Sequence, residues 1–123
     1  MVTLLTPYPP SVNEMFFNRS GNGRGRGKAS CYRSWEKEAD ALFQQQKSAQ
    51  TVGTPIKGHF IVTIALDQSR RRHNSDLDNR IKPLLDFLQR VELIEDDRFC
   101  DKLDIAWAPV DGALIRAFKS MVA

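Results

Sequence analysis

The run KGHFIVTIAL, at positions 57–66, constrains the fold most, because it is apolar on nearly both sides of an extended chain. Successive side chains of a β-strand point to opposite faces of a sheet. One side would carry Phe60, Val62, Ile64 and Leu66, and the other His59, Ile61, Thr63 and Ala65. Strands without clear polar alternation belong inside a sheet. We therefore expect this strand to lie at the centre of a sheet.

Two segments have apolar side chains at helical spacing. The first is residues 29–49, where Trp35, Ala39 and Phe43 recur about once per turn. The second is clearer, since its apolar residues form one stripe that consists of Ile81, Leu84, Leu85, Leu88 and Val91. Both segments are predicted to be helices that pack on the sheet.

Three further runs are β-prone, at 2–6, 99–107 and 113–121. The turn sequence PVDG at 109–112 predicts that the last two strands form a hairpin. The resulting order, β-α-β-α-β-β, predicts an α/β (α+β) fold with a small mixed sheet of about four strands and two helices packed on it.

The length of 123 residues and the absence of a dividing linker indicate a single domain over residues 1–123. No run approaches the ~20 apolar residues that a membrane span needs. The first residues have neither the basic start nor the apolar length of a signal peptide. Cys31 and Cys100 lack partners at zinc spacing and are expected to be free, partly buried thiols. We expect a cytoplasmic protein that does not contact a membrane.

Basic residues concentrate in two places, although the net charge is only +3. The first is a glycine-rich stretch at 18–29, where glycine alternates with polar and basic residues, so that we expect an irregular loop without a core-facing side. The second directly follows the central strand. The candidate DNA contacts in these two places are Arg24, Arg26, Lys28, Arg70, Arg71, Arg72 and His73. For those in the loop, phosphate binding and mere solubility remain equal alternatives.

Phe16 and Phe17, just before the loop, have two possible roles. Apolar side chains can insert between bases and open a DNA duplex. The plainer alternative is that at least one of the two packs into the core.

Pro83 determines where the second helix starts. Proline lacks an amide hydrogen and clashes in a helix interior, so it belongs in the first turn. The helix is therefore expected to begin near Asp78 or Asn79. Residues two positions apart face the same side only when the chain is extended. Asp76, just before the helix, can then converge with Asp78, and Lys82 lies one turn further along the same side.

Taken separately, these features have plain interpretations: aspartates cap helices, and acidic turns such as EDD at 95–97 and arginine runs are often simply solvated. Their coincidence favours a metal site beside a phosphate backbone. Carboxylate ligands favour Mg²⁺ over zinc, and such an ion activates water for attack on phosphorus. A lysine can stabilise the developing charge, and arginines can bind neighbouring phosphates. The pattern predicts a phosphodiesterase that acts on nucleic acid.

Three stretches, PYPPSVNEMFFN, RRRHNSDLDNRIKPLLDFL and LIEDDRFCDKLDIAW, occur in this order along the chain. In order, spacing and length the chain resembles the RusA Holliday junction resolvases, small endodeoxyribonucleases that are often encoded by prophages. The resemblance implies that the catalytic acidic residues are Asp76, Asp78 and Asp97, and that the functional lysine is Lys82. It further implies a homodimer that uses Mg²⁺ or Mn²⁺, without a small-molecule cofactor, to cut two opposing strands of four-way junction DNA in recombination and repair.

The chain differs from the family pattern in the glycine–arginine loop at 20–28 and in Pro83 at the helix entrance. Two alternative functions remain open. One is a catalytically idle junction-binding protein, which the presence of every acidic position disfavours. The other is a structure-selective nuclease for other branched DNA.

Overall fold

The computed structural model describes residues 1–18, 25–73 and 75–121. These contain two helices, α1 (Ser30–Ser48) and α2 (Ile81–Arg90), which match the predicted helices closely. The strands are β1 (Val2–Thr6), β2 (Phe16–Asn18), β3 (Arg26–Lys28), β4 (Phe60–Asp67), β5 (Cys100–Ala108) and β6 (Ala113–Lys119). In the described part of the chain, neither helix is long and apolar enough to span a bilayer.

Four strands form one mixed sheet in the order β1-β6-β4-β5. β4 pairs in parallel with β5 and antiparallel with β6, and β6 in turn pairs antiparallel with β1. The central position predicted for β4 is confirmed, and so is the α+β class with a mixed four-stranded sheet.

The core lies between this sheet and the two helices. One row of β4 side chains, including Phe60 and Ile64, is fully buried and belongs to the same cluster as Trp35 of α1 and Phe87 of α2. The rings of Trp35 and Phe87 meet edge to face at 5.7 Å. On the other face of the sheet, Thr63 is exposed. The side chains on one face of β4 are therefore much more buried than those on the other face.

The predicted hairpin between the last two strands is wrong, because β4 lies between β5 and β6. The connection at 109–112 crosses the end of β4, where the Asp67 amide donates to the Gly112 carbonyl at 3.0 Å. Gly112 has a φ of +71°, and a Cβ there would overlap the carbonyl oxygen of Thr6. Glycine at this position allows the chain to pass so close to β1.

The described part of the glycine-rich stretch, Asn18 and residues 25–29, also contains more regular structure than predicted. β2 and β3 pair antiparallel, with Phe17 opposite Gly27. Gly27 is buried, so the stretch does have an inward side, contrary to the expectation for residues 18–29. The hairpin forms because Phe16 packs edge to face on Tyr32 of α1, with ring centroids 5.7 Å apart.

The two cysteines are free. Cys100 is partly buried as expected, whereas Cys31 is exposed. The Cys31 thiol donates to the carbonyl of Glu14 at 3.2 Å.

Candidate active site

Asp76 and Asp78 converge at the entrance of α2. Asp76 is extended, with φ −123° and ψ 118°, and is followed by a 3₁₀ turn at Leu77–Arg80. The α-helix begins only at Ile81, which places Pro83 in its first turn, where a missing amide hydrogen is harmless. The start predicted at Asp78 or Asn79 thus falls in the 3₁₀ turn. Extended backbone followed by a tight turn brings the two carboxyl groups to one side.

The Asp76 carboxyl makes no side-chain capping bond to the turn that it precedes. It instead shares a hydrogen bond with the carboxyl of Asp78. This hydrogen bond, together with the negative charge of Asp78, raises the pKa of Asp76 above its ordinary value. The capping interpretation of Asp76 therefore fails, and the two carboxyl groups lie close enough together to share one proton between them.

Asp97 begins a second 3₁₀ turn, Asp97–Phe99, just before β5. The preceding carboxylate of Asp96 is the cap: it accepts from the Arg98 amide at 3.0 Å, which lowers the pKa of Asp96. The Asp97 amide donates to Oε1 of Gln89 on α2 at 3.2 Å. Burial, then the hydrogen bond and charge of Asp96, raise the pKa of Asp97. Of the two neighbouring aspartates, Asp97 is the one whose carboxyl is not used as a cap.

Lys82 lies in the first turn of α2. Its Nζ is 3.3 Å from Oδ2 of Asp86, one turn further on, and its side chain is half exposed. The positive charge of Lys82 opposes the rise in the pKa of Asp97. Lys82 is thus a half-exposed cation that pairs with Asp86.

Within residues 1–18, 25–73 and 75–121, no three carboxylate, imidazole or thiol groups lie close enough together to form a metal site by themselves. The structure brings Asp76 together with Asp78, and Asp97 together with Asp96. It does not unite Asp97 with the first pair in one group.

The arginine run begins where β4 ends. Asp67 accepts from the amide and the hydroxyl of Ser69 at 2.9 and 2.7 Å, which lowers the pKa of Asp67 and fixes the first turn of the segment. The guanidinium of Arg70 lies 5.6 Å from the ring centre of Tyr8, and that of Arg71 lies 5.9 Å from the ring centre of Trp107.

The rest of the run is exposed. Arg72 and His73 both face solvent, and the Arg72 amide bonds Oγ of Ser75 at 2.7 Å, immediately before Asp76. The segment thus ends in the chain just before the carboxylate pair, and the predicted DNA contacts of its side chains stay a prediction.

The basic residues of the hairpin are partly engaged within the protein. Lys28 forms an ion pair of 3.0 Å with Glu36 on α1. The guanidinium of Arg26 lies 4.4 Å from the ring centre of Phe16 and remains exposed. Arg24 lies outside the described residues. Of Arg26 and Lys28, the two candidates that the structure describes here, Arg26 is the more available to a phosphate.

Arg80 and Tyr8 were missed by sequence reasoning. Nη1 of Arg80 donates to the carbonyl of Pro9 at 2.9 Å, and its guanidinium lies 5.0 Å from the ring centre of Tyr8. With Arg70 also near this ring, Tyr8 contacts two arginines. The bond to Pro9 spans 71 positions, so no local pattern could have revealed it.

Exposed arginines and a pair of carboxyl groups in contact, on a small α+β domain, are typical of the class of proteins that act on nucleic acids. The sequence model of a family described as Endodeoxyribonuclease RusA matches residues 7–113, which is most of the chain. The chain therefore belongs to the RusA endodeoxyribonuclease family. Membership makes it an endonuclease, and the activity that the family implies is resolution of Holliday junctions. No curated protein matches the chain in sequence.

Proposed function

We propose that this chain is a metal-dependent resolvase that cuts four-way DNA junctions by hydrolysis of phosphodiester bonds, with Asp76, Asp78, Asp97 and Lys82 as its catalytic residues. The single observation that supports this most is the contact between the carboxyl groups of Asp76 and Asp78, which follow the basic segment 70–73 in the chain. Two carboxylates held together and not used as caps are suited to bind a cation.

The donor set fits Mg²⁺, with Mn²⁺ as a substitute. All the candidate ligands are carboxylate oxygens, which hard cations prefer. Mg²⁺ binds through one or two carboxylates and completes its shell with water and substrate phosphate. A preformed group of three ligands is therefore not required, and Asp97 would join the pair Asp76–Asp78 from across α2. The ion would lower the pKa of a bound water and neutralise charge on the phosphate.

The protein's own groups have separate tasks in this proposal. The carboxylates position the cation against the scissile phosphate. Lys82, which pairs with Asp86 and whose charge acts on Asp97, would stabilise the oxygen that gains negative charge. Arg70, Arg71 and Arg72, with His73, bind the neighbouring phosphates and fix the register of the DNA.

Paired symmetric cleavage needs two active sites related by a two-fold axis, and so we propose that the chain acts as a homodimer. We also propose that it works in recombination and repair, in the cytoplasm. No small-molecule cofactor is needed for this chemistry.

The experiment that tests the proposal compares Asp76→Asn, Asp78→Asn and Asp97→Asn on a labelled four-way junction. The matched control is Asp104→Asn, since Asp104 is exposed on β5 and has only a loose 3.8 Å pair with Lys102. Each of the first three should abolish cleavage while junction binding survives or tightens, because removing a carboxylate removes a ligand and reduces repulsion of the DNA. The control should cut like the wild type, and chelation by EDTA should stop it. Any of the three that still cuts at the wild-type rate is not a metal ligand.

Two substrate comparisons separate the alternative functions. A plasmid with an extruded cruciform, incubated with and without Mg²⁺, is linearised by an enzyme and only bound by an idle junction-binding protein. Four-way, three-way and flap substrates at equal salt distinguish a resolvase from a nuclease for other branched DNA, because non-specific binding depends strongly on salt. Equal cleavage of all three substrates would contradict junction selectivity.

A further inference from the structure

The structure separates the two adjacent phenylalanines of β2. Phe16 is partly buried, with its ring against Tyr32 at 5.7 Å and the Arg26 guanidinium at 4.4 Å from its centre. Phe17 points to the opposite face of the strand and is 50% exposed. Only Phe16 thus contributes to packing, and the second aromatic ring has been left in solvent.

The position opposite Phe17 makes this exposure more pronounced. In the register of the hairpin, Phe17 faces Gly27, which has no side chain to cover the ring. Gly27 is itself buried, so its backbone is held against the protein while the Phe17 ring faces outward. A large ring across from glycine leaves a flat apolar surface of a size suited to a nucleic-acid base.

The hairpin is connected to the carboxylate pair by a short series of contacts. β2 contacts the 3₁₀ turn Val12–Glu14, and this turn contacts the turn Leu77–Arg80, which carries Asp78. The base of the hairpin is fixed by a 2.8 Å bond from the Ala29 amide to the Met15 carbonyl. Phe17 is therefore presented from a rigid base near the candidate active site.

The charge of the hairpin favours a polyanion as its partner. Arg26 and Lys28 pair with Asn18 and Phe16, so they lie on the face of the hairpin opposite Phe17. Lys28 is engaged by Glu36, whereas Arg26 is exposed. An exposed aromatic ring on a hairpin that also carries an exposed arginine is a combination that binds nucleic acid, by stacking on bases and by binding phosphates.

We propose that Phe17 is the residue that opens the branch point: it stacks on an unpaired base of the DNA junction and holds that base out of the duplex. Apolar side chains used in this way unstack base steps and kink the DNA. This inference rests on the proposed function, and it assigns to Phe17 the recognition of branched over linear DNA. Phe17 would be a specificity-determining residue and would take no part in the hydrolysis.

The test uses Phe17→Ala and Phe17→Trp, with Phe118→Ala as the matched control. Phe118 is also an exposed aromatic residue, at 37%, but lies on β6 in the sheet. The readouts are affinity for a four-way junction and for linear duplex at one salt concentration, and the fluorescence of 2-aminopurine placed at the branch point. This fluorescence increases when the base is unstacked. Thermal melting and light scattering report the fold and the oligomeric state of each variant.

We expect Phe17→Ala to weaken junction binding about 5- to 150-fold, the range for loss of one base–aromatic stack. Its binding to linear duplex and the salt dependence of binding should stay unchanged, because no charge is removed. The 2-aminopurine signal should disappear in Phe17→Ala and persist in Phe17→Trp and Phe118→Ala. Since the ring is half exposed, melting should not change appreciably.

Three results would overturn the inference. One is a junction affinity and fluorescence signal in Phe17→Ala equal to those of Phe118→Ala. Another is equal weakening on linear and branched DNA. The third is a change of oligomeric state in Phe17→Ala, which would make the ring a protein contact. If the wild type itself fails to cut junctions, the proposed function fails; if it cuts them and Phe17→Ala does so equally well, only this inference fails.

Discussion

Replacing Arg80 by alanine should destabilise the protein more than any other single arginine replacement at a partly exposed position. The guanidinium donates to the carbonyl of Pro9 at 2.9 Å, and Pro9 itself is buried. Without Arg80, this carbonyl loses a charged hydrogen-bond donor in a place that water reaches poorly. The ring of Tyr8 also loses a cation 5.0 Å from its centre.

The magnitude follows from these two contacts. A hydrogen bond with one charged partner contributes about 1.5–3 kcal/mol. A cation–π contact at a partly exposed site adds about 0.5–1 kcal/mol. The free energy of unfolding should therefore fall by about 2–4 kcal/mol, a large part of the ~5–15 kcal/mol typical of a domain. Arg80→Lys keeps the charge but not the planar group, and should lose about half as much.

Urea unfolding followed by tryptophan fluorescence measures this effect. Trp35 is buried, and its indole nitrogen donates to the carbonyl of Pro7 at 2.9 Å, in the same segment that Arg80 holds. The matched control is Arg33→Ala, an exposed arginine on α1, which should change stability by less than about 0.5 kcal/mol. Junction cleavage by Arg80→Ala, measured well below its unfolding midpoint, should also decrease, because the turn with Asp78 loses its tether.

The reasoning is refuted if Arg80→Ala unfolds at the same urea concentration, and with the same slope, as Arg33→Ala. A loss of stability without any loss of cleavage would refute only part of the prediction. It would show that the bond from Arg80 to Pro9 stabilises the domain and does not position the carboxylates.

Two further predictions concern the fold. Gly112→Ala should lower the free energy of unfolding by about 2 kcal/mol or more, since the new Cβ would overlap the Thr6 carbonyl. The control Gly58→Ala, at φ +74° in open space, should lower it by only about 1 kcal/mol. Equal urea midpoints for the two variants would show that the overlap at Gly112 has no effect. Burial, and then the charge of Glu36, raise the pKa of Tyr32 to about 12, whereas an unfolded tyrosine ionises near pH ~10. The Tyr32 hydroxyl therefore keeps its proton to a higher pH in the folded than in the unfolded protein. Its contribution to the free energy of unfolding should be constant below pH ~10 and should fall as the pH rises through the folded pKa. Tyr32→Phe should remove that part of the alkaline destabilisation, and an ultraviolet titration that shows both tyrosines of the wild type ionising near pH ~10 would exclude the effect.

Much of the secondary structure follows from the sequence because its signals are local. The apolar stripe of the second helix and the run at 57–66 have the periods of helix and strand, and each period is set by the backbone geometry of a few residues. The convergence of Asp76 and Asp78 is local for the same reason, since Pro83 limits where helix can begin. These features were predictable, and the structure shows them.

The features that were mispredicted or missed depend on distant residues. The last two strands have the turn sequence of a hairpin, yet β6 pairs with β1 and β4. The turn sequence alone therefore does not decide which strands pair; the burial of β4 and β6 in the sheet also contributes. The strands β2 and β3 form at this place because Phe16 packs against Tyr32 of α1.

The sequence by itself determined the two helices, the four strands of the main sheet, the charged segments and the identity of the acidic residues. Only the tertiary structure decided which distant residues meet: it tied Arg80 to Pro9 and Trp35 to Pro7, and it packed Phe16 against Tyr32. Local conformation is encoded by neighbours in the chain, whereas the meeting of distant side chains depends on how the whole core packs. The difference between Phe16 and Phe17 has the same origin, since two identical residues acquired different surroundings from the fold around them.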